Sequence, residues 1–142
     1  MTDLDQELWP NLPAIGGLSL PIQQVSPISL AYIGDAVYEL YVRTSLLLPL
    51  KKPHSYHQEV VAQVRAETQA RHLELLLPKL TELELSWLKR GRNAASGGPR
   101  RVSPETYQKA TGFETLIGYL YLTNPHRLQT LLAEIVLVPA TL

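Results

Sequence analysis

The stretch from Leu30 to Arg43, LAYIGDAVYELYVR, limits the fold more than any other part of the chain. Leu30, Ile33, Val37, Leu40 and Tyr41 recur at helical spacing, so the segment reads as one helix with an inward face. It is apolar on nearly every side, yet Asp35 stands in its middle. Gly34 beside it offers a place where a second helix can come close. Burying a lone carboxylate costs several kcal/mol or raises its pKa, unless a cation or hydrogen bonds compensate. A metal ion is one form of compensation. The ordinary alternative places Asp35 on the solvated edge of a core helix.

The rest of the chain breaks into further helices. Residues 1–25 carry Pro10, Pro13, Gly16, Gly17 and Pro21 and read as an irregular arm, laid over the core by Trp9 and Leu12. The domain proper is expected over 26–142. Ser26-Pro27 is a helix start, serine as N-cap and proline at the first helical position, and this helix should stop before Pro49. A second helix is expected from His54 to Leu77, with Tyr56, Val60, Val64, Leu73 and Leu77 near one face. Pro78 ends or kinks it. Thr81 to Glu84 matches a capping box. The short helix behind it should turn Leu85 and Leu88 inward and close at Gly91, leaving a loop from Arg92 to Val102. Ser103-Pro104 opens a helix to about Leu122 that is apolar almost all round, as a central helix would be. Asn124-Pro125 opens the last one, with Leu128, Leu131, Leu132 and Ile135 inward. No stretch alternates as a strand, so the reading is all-α with five main helices.

Composition narrows the class. At 142 residues and 45% hydrophobic content the chain suits one compact domain. It has no cysteine, which excludes disulfides and thiolate chemistry and fits a cytoplasmic protein. Neither a signal peptide nor a membrane span is expected. Net charge is zero, but between Lys89 and Lys109 six basic residues face the single acid Glu105, a local balance of +5, so the remainder carries −5. Such a patch on a neutral domain is a footprint for a polyanion.

Two helices are expected to be buried and each carries a carboxylate, Asp35 and Glu114. Small residues surround both: Ala31, Gly34 and Ala36, then Ala110, Gly112 and Gly118. They would let the helix axes approach and bring the acids together. Like charges in a buried pair cannot both stay ionised unless a cation joins them. Oxygen ligands without cysteine or a histidine set favour Mg²⁺ or Mn²⁺ over zinc. Ion pairs to Arg43 or Arg65 are the structural alternative. His54 and His57 have metal-ligand spacing but no third ligand, so a surface helix start is the better reading; His72 and His126 suggest nothing sharper. Lys89, Arg90, Arg92 and Asn93, with Arg100 and Arg101, suit contacts to RNA phosphates and 2′-hydroxyls.

These motifs resemble those of ribonuclease III. Tyr32-Ile33-Gly34-Asp35-Ala36-Val37 is similar to the family's signature helix, and the segment from Phe113 to Leu122 is similar to its second acidic motif. Arg65-Ala66 also matches a family pattern. The departures are specific. Ala31 stands where the family has a glutamate and Thr111 where it has an aspartate. No separate double-stranded-RNA-binding domain is expected behind the second motif. This combination, with Lys-Arg-Gly-Arg-Asn-Ala in the basic segment, resembles the compact branch, Mini-ribonuclease III.

The resemblance implies a helical ribonuclease III fold and a homodimer in which each subunit cuts one strand of an RNA duplex. It also implies maturation of large-subunit (23S) ribosomal RNA. Carried over by position, Asp35 and Glu114 become the catalytic metal ligands, for Mg²⁺ with Mn²⁺ as a substitute. Tyr32 lies near the dimer interface. Lys89, Arg90, Arg92, Asn93, Arg100 and Arg101 hold the duplex, with Arg65 and Lys109 as further phosphate contacts. A large-subunit ribosomal protein is a candidate partner for that task. The competing expectation is a non-catalytic RNA scaffold of the same fold, which the missing acids at Ala31 and Thr111 favour and the retained pair opposes.

Overall fold

The computed structural model describes residues 21–135 and 137. Most of the expected arm, Trp9 and Leu12 included, therefore lies outside the described residues. Its end forms a 3-10 turn at Ile22–Gln24, and Ile22 and Val25 pack on the core. Six α-helices follow: α1 Pro27–Ser45, α2 Pro53–Val64, α3 Ala66–Leu76, α4 Glu82–Ala94, α5 Pro104–Thr123 and α6 Pro125–Ala133. A second 3-10 turn, Leu77–Lys79, sits at Pro78. No strand occurs among the described residues, so the all-α expectation holds.

The helix starts are where the local chemistry puts them. Ser26 accepts from the Ile28 amide (3.2 Å), Ser103 from Thr106 (3.1 Å) and Asn124 from Arg127 (3.1 Å), each ahead of a proline at the first helical position. The Thr81 hydroxyl accepts from the Glu84 amide at 3.1 Å, and the Glu84 carboxylate accepts from the Thr81 amide at 2.9 Å, completing the capping box.

Three expectations fail. The helix expected over 54–77 is two helices, broken at Arg65, whose backbone is extended (φ −68°, ψ 154°). Three hydrogen bonds fix this break, two from the next turn of chain and one from α1. The three last carbonyls of α2 would be orphaned by its ending. Instead the Thr68 hydroxyl donates to Ala62 O (2.6 Å), the Tyr38 hydroxyl to Gln63 O (3.3 Å) and the Gln69 amide to Val64 O (2.9 Å). Second, α4 does not close at Gly91 but runs to Ala94, which puts Arg92 and Asn93 on the helix. Gly91 serves packing: a Cβ there would lie 2.3 Å from Thr115 Oγ1 on α5. Third, Leu85 and Leu40 are exposed, while Leu88 is buried as expected.

α5 is the central helix, in contact with α1, α3, α4 and α6. Its residues Phe113, Leu116, Ile117 and Leu120 are almost fully buried. Trp87 of α4 stacks on Tyr119 (ring centroids 4.6 Å apart), and Tyr38 of α1 meets Phe113 edge-on at 5.3 Å. α6 is locked on by Arg127, which binds the buried Glu84 carboxylate through two nitrogens (2.9 and 3.0 Å) and also donates to Lys79 O.

Candidate active site

The site is built where α1 crosses α5. A Cβ on Gly34 would lie 1.8 Å from the Glu114 carbonyl oxygen, and one on Gly118 would lie 1.9 Å from that of Leu30. The two helices therefore touch backbone to backbone, which only glycine at both positions allows. Residue 35 follows one of these glycines, and the Glu114 carbonyl covers it from α5. The crossing thus sets the two carboxylates close enough for Asp35 to act on the ionisation of Glu114.

Their burial differs from expectation. Asp35 is exposed, not deep inside, while Glu114 is half-buried. Asp35 lies on the edge of the buried stripe of α1, which Leu30, Gly34, Val37 and Tyr38 form. Burial is the main reason that the Glu114 carboxyl is pushed up to about 9; its hydrogen bond to Asp35 and that residue's charge push the same way. Near neutral pH the Glu114 carboxyl therefore favours its protonated form. The alternative ion pairs do not form: Arg43 pairs with Glu39 one turn away at 2.5 Å, and Arg65 has no ion pair among the described residues.

Two neighbouring oxygen-donor side chains that can ionise fit a hard divalent ion. Among the described residues no group of three or more histidine, cysteine or acidic side chains gathers, so water and substrate oxygens would have to complete a coordination shell. Ala31 and Thr111 are both buried, so neither position offers a substitute carboxylate. His54, His57 and His126 are exposed on helix starts.

The basic candidates fall on different elements. Lys89 and Asn93 are exposed on α4, and Arg100 and Arg101 in the loop before α5. Arg90 lies over the Trp87 ring, 4.0 Å from its centroid. The stem of Arg92 crosses Gly112, where a Cβ would come within 2.6 Å of its Cγ, so the basic end of α4 lies against α5 two residues before Glu114. Arg65 is exposed at the α2–α3 corner. Lys109 is bound by Glu74 (2.9 Å) and Glu105 (3.5 Å), and Glu74 above all holds its pKa up. Tyr32 is 82% exposed and shares a stripe of α1 with Ile28, Ala36 and Leu40, all exposed.

Sequence reasoning missed the polar layer beneath the site. His72 is buried with its Nδ1 3.0 Å from the Tyr38 hydroxyl. Its i−4 and i+1 neighbours Thr68 and Leu73 are buried as well, and that inward phase on α3 was the available signal.

The Ribonuclease III domain family model matches residues 28–125. The chain belongs to the ribonuclease III family. Within it, the chain is 51% identical to Mini-ribonuclease 3 of Synechocystis over 137 residues, which is 96% of this chain and 94% of that one. Identity to Mini-ribonuclease 3 of Synechococcus is 57% over 113 residues, 80% and 82% of the two chains. A crystal structure of a Fusobacterium nucleatum protein, 27% identical, superimposes with a TM-score of 0.75 over 82% of this chain and 96% of that one. The resemblance read from the motifs is thereby established, and this member of the ribonuclease III family is an endoribonuclease.

Proposed function

We propose that the enzyme hydrolyses phosphodiester bonds of double-stranded RNA with a divalent cation held by Asp35 and Glu114. Magnesium is the expected ion and manganese a substitute. The observation that carries this reading is the glycine–glycine crossing of α1 and α5, which puts Asp35 and Glu114 on neighbouring turns of two helices in backbone contact. A bound cation would supply Lewis acidity at the scissile phosphate. Asp35, exposed, presents its charge to solvent and substrate. Glu114 has to lose the proton at its carboxyl before it can ligate. Lys89, Arg90, Arg92, Arg100 and Arg101, with Arg65, neutralise the RNA backbone, Asn93 hydrogen-bonds to it, and Lys109 joins them by exchanging its carboxylate partners for phosphate. Of the α4 set, Arg92 crosses α5 at Gly112, two residues before Glu114.

The active form in this reading is a homodimer. The exposed apolar stripe of Ile28, Tyr32, Ala36 and Leu40 supports it, because it lies on the helix of Asp35 and would place a second copy beside the site. The biological substrate is the precursor of 23S ribosomal RNA in the cytoplasm, as the likeness to Mini-ribonuclease III implies, with a large-subunit ribosomal protein as candidate partner. No helix among the described residues is long and apolar enough to cross a membrane.

The test is incubation of the purified protein with a long RNA duplex, with magnesium and with chelator, beside Asp35→Asn. Cleavage should need the cation and vanish in the variant, while duplex binding survives. A variant that cuts at the wild-type rate would overturn the assignment.

A further inference from the structure

A cleft of about 360 Å³ opens between the outer face of α3 and the first turns of α5, away from any residue assigned above except Arg65 and Lys109. Arg65, Arg71 and Lys109 line it, with Glu67, Glu74 and Thr106. Glu74 takes Lys109, which leaves two arginines and Glu67 facing the open space. Neither arginine stands in an ion pair among the described residues.

Both arginines spring from a stiffened base. The α2–α3 corner is stitched by Thr68, Tyr38 and Gln69, all buried, each donating to one of the last carbonyls of α2. Arg65 is the single extended residue inside that stitching. Arg71 donates across 3.4 Å to Thr68 Oγ1, the same hydroxyl that caps Ala62. Cations on a fixed backbone lose less freedom when they take a ligand, so the corner pre-organises them. Guanidinium forks match the nonbridging oxygens of a phosphate. The cleft is also continuous along the chain with the basic loop: Arg100 and Arg101 lead into α5, whose first turn supplies Thr106.

We propose that this cleft seats a backbone phosphate of the RNA substrate, held by Arg65 and Arg71, and that Arg71 extends the RNA track from the loop onto α3. The inference rests on the double-stranded-RNA reading.

The experiment measures duplex RNA binding by the full-length Asp35→Asn protein over a series of salt concentrations. Arg71→Gln should weaken binding several-fold and lower the slope of log affinity against log salt by about one; Arg71→Gln with Arg65→Gln should lower it by about two. Glu67→Gln should tighten binding, a sign that loss of fold cannot mimic. Lys79→Gln, equal in charge change and paired with Glu134 elsewhere, should leave the slope in place. Thermal melts should match the parent's, because Arg65 and Arg71 are exposed. Parent affinity and slope in both arginine variants would overturn the cleft and leave the enzyme reading standing. A parent that binds no duplex would overturn that reading, and this inference with it.

Discussion

Gly34→Ala tests the reasoning about the site at its tightest point. The added methyl would start 1.8 Å from the Glu114 carbonyl oxygen, 2.7 Å from its carbon and 2.9 Å from the Gly118 nitrogen. A carbon and a carbonyl oxygen in ordinary contact sit about 3.3–3.6 Å apart, so α1 and α5 must separate by roughly 1.5 Å. Every atom in the way is backbone of a central helix, so no side chain can swing aside. Overpacking of this kind costs about 3 kcal/mol, at the upper end of its usual range, and alanine's better helix propensity returns about 1. The net loss is about 2 kcal/mol, a fall in melting temperature of about 5–10 °C. The same displacement pulls Asp35 from Glu114. A misplacement of about 1 Å can lower a rate about 100-fold, so cleavage should fall further than stability explains. Urea unfolding gives the first quantity, and duplex cleavage with magnesium, at a temperature where the variant is folded, gives the second. Gly118→Ala, facing the Leu30 carbonyl at 1.9 Å, should behave alike. A Gly34→Ala protein with the parent's urea midpoint and cleavage rate would refute the backbone crossing as the origin of the site.

Other expectations follow from the charges. Glu114 holds its proton up to about 9 against an ordinary 4.5, so the metal-free fold is favoured at low pH and loses stability as pH rises between those values; Glu114→Gln should flatten that part of a urea-midpoint profile. For the same reason cation affinity should rise with pH over this range, as calorimetry would record. Glu84 shows the opposite sign: Arg127, through its hydrogen bonds first, holds the carboxyl below its usual range. Its stabilisation is present above about pH 4.5 and lost as pH falls through the lowered value. Arg127→Met should cost about 3 kcal/mol by stranding the buried carboxylate, and should shrink the difference in urea midpoint between pH 7 and pH 3. Tyr32→Asp should shift the protein toward monomer in light scattering while its melting profile in dilute solution stays intact; an unchanged dimer would remove α1 from the interface.

Much of this architecture is legible locally. Ser26-Pro27, Ser103-Pro104, Asn124-Pro125 and the Thr81–Glu84 box each start a helix, because N-cap chemistry depends on neighbours two or three residues away. The apolar periodicity of the Leu30–Arg43 segment and the nearly all-round apolar character of the helix that carries Phe113–Leu122 mark the two core helices, and the small residues beside Asp35 and Glu114 mark where those helices could meet. The all-α class, the pairing of the acids and the family all follow from such signals.

What the sequence alone could not decide are the properties set by distant partners. Arg65 ends a helix because Tyr38, from another element, and Thr68 and Gln69 supply hydrogen bonds to the last carbonyls of α2. Gly91 is a packing glycine inside a helix, not its end, because α5 leaves no room for a side chain there. Asp35 is exposed because it lies at the edge of the stripe that its helix buries, Glu114 is half-buried because its helix is covered almost all round, and desolvation raises the Glu114 carboxyl. Residue spacing determined which groups could meet; only packing of the helices determined how closely they meet, how wet they are and what charge they carry.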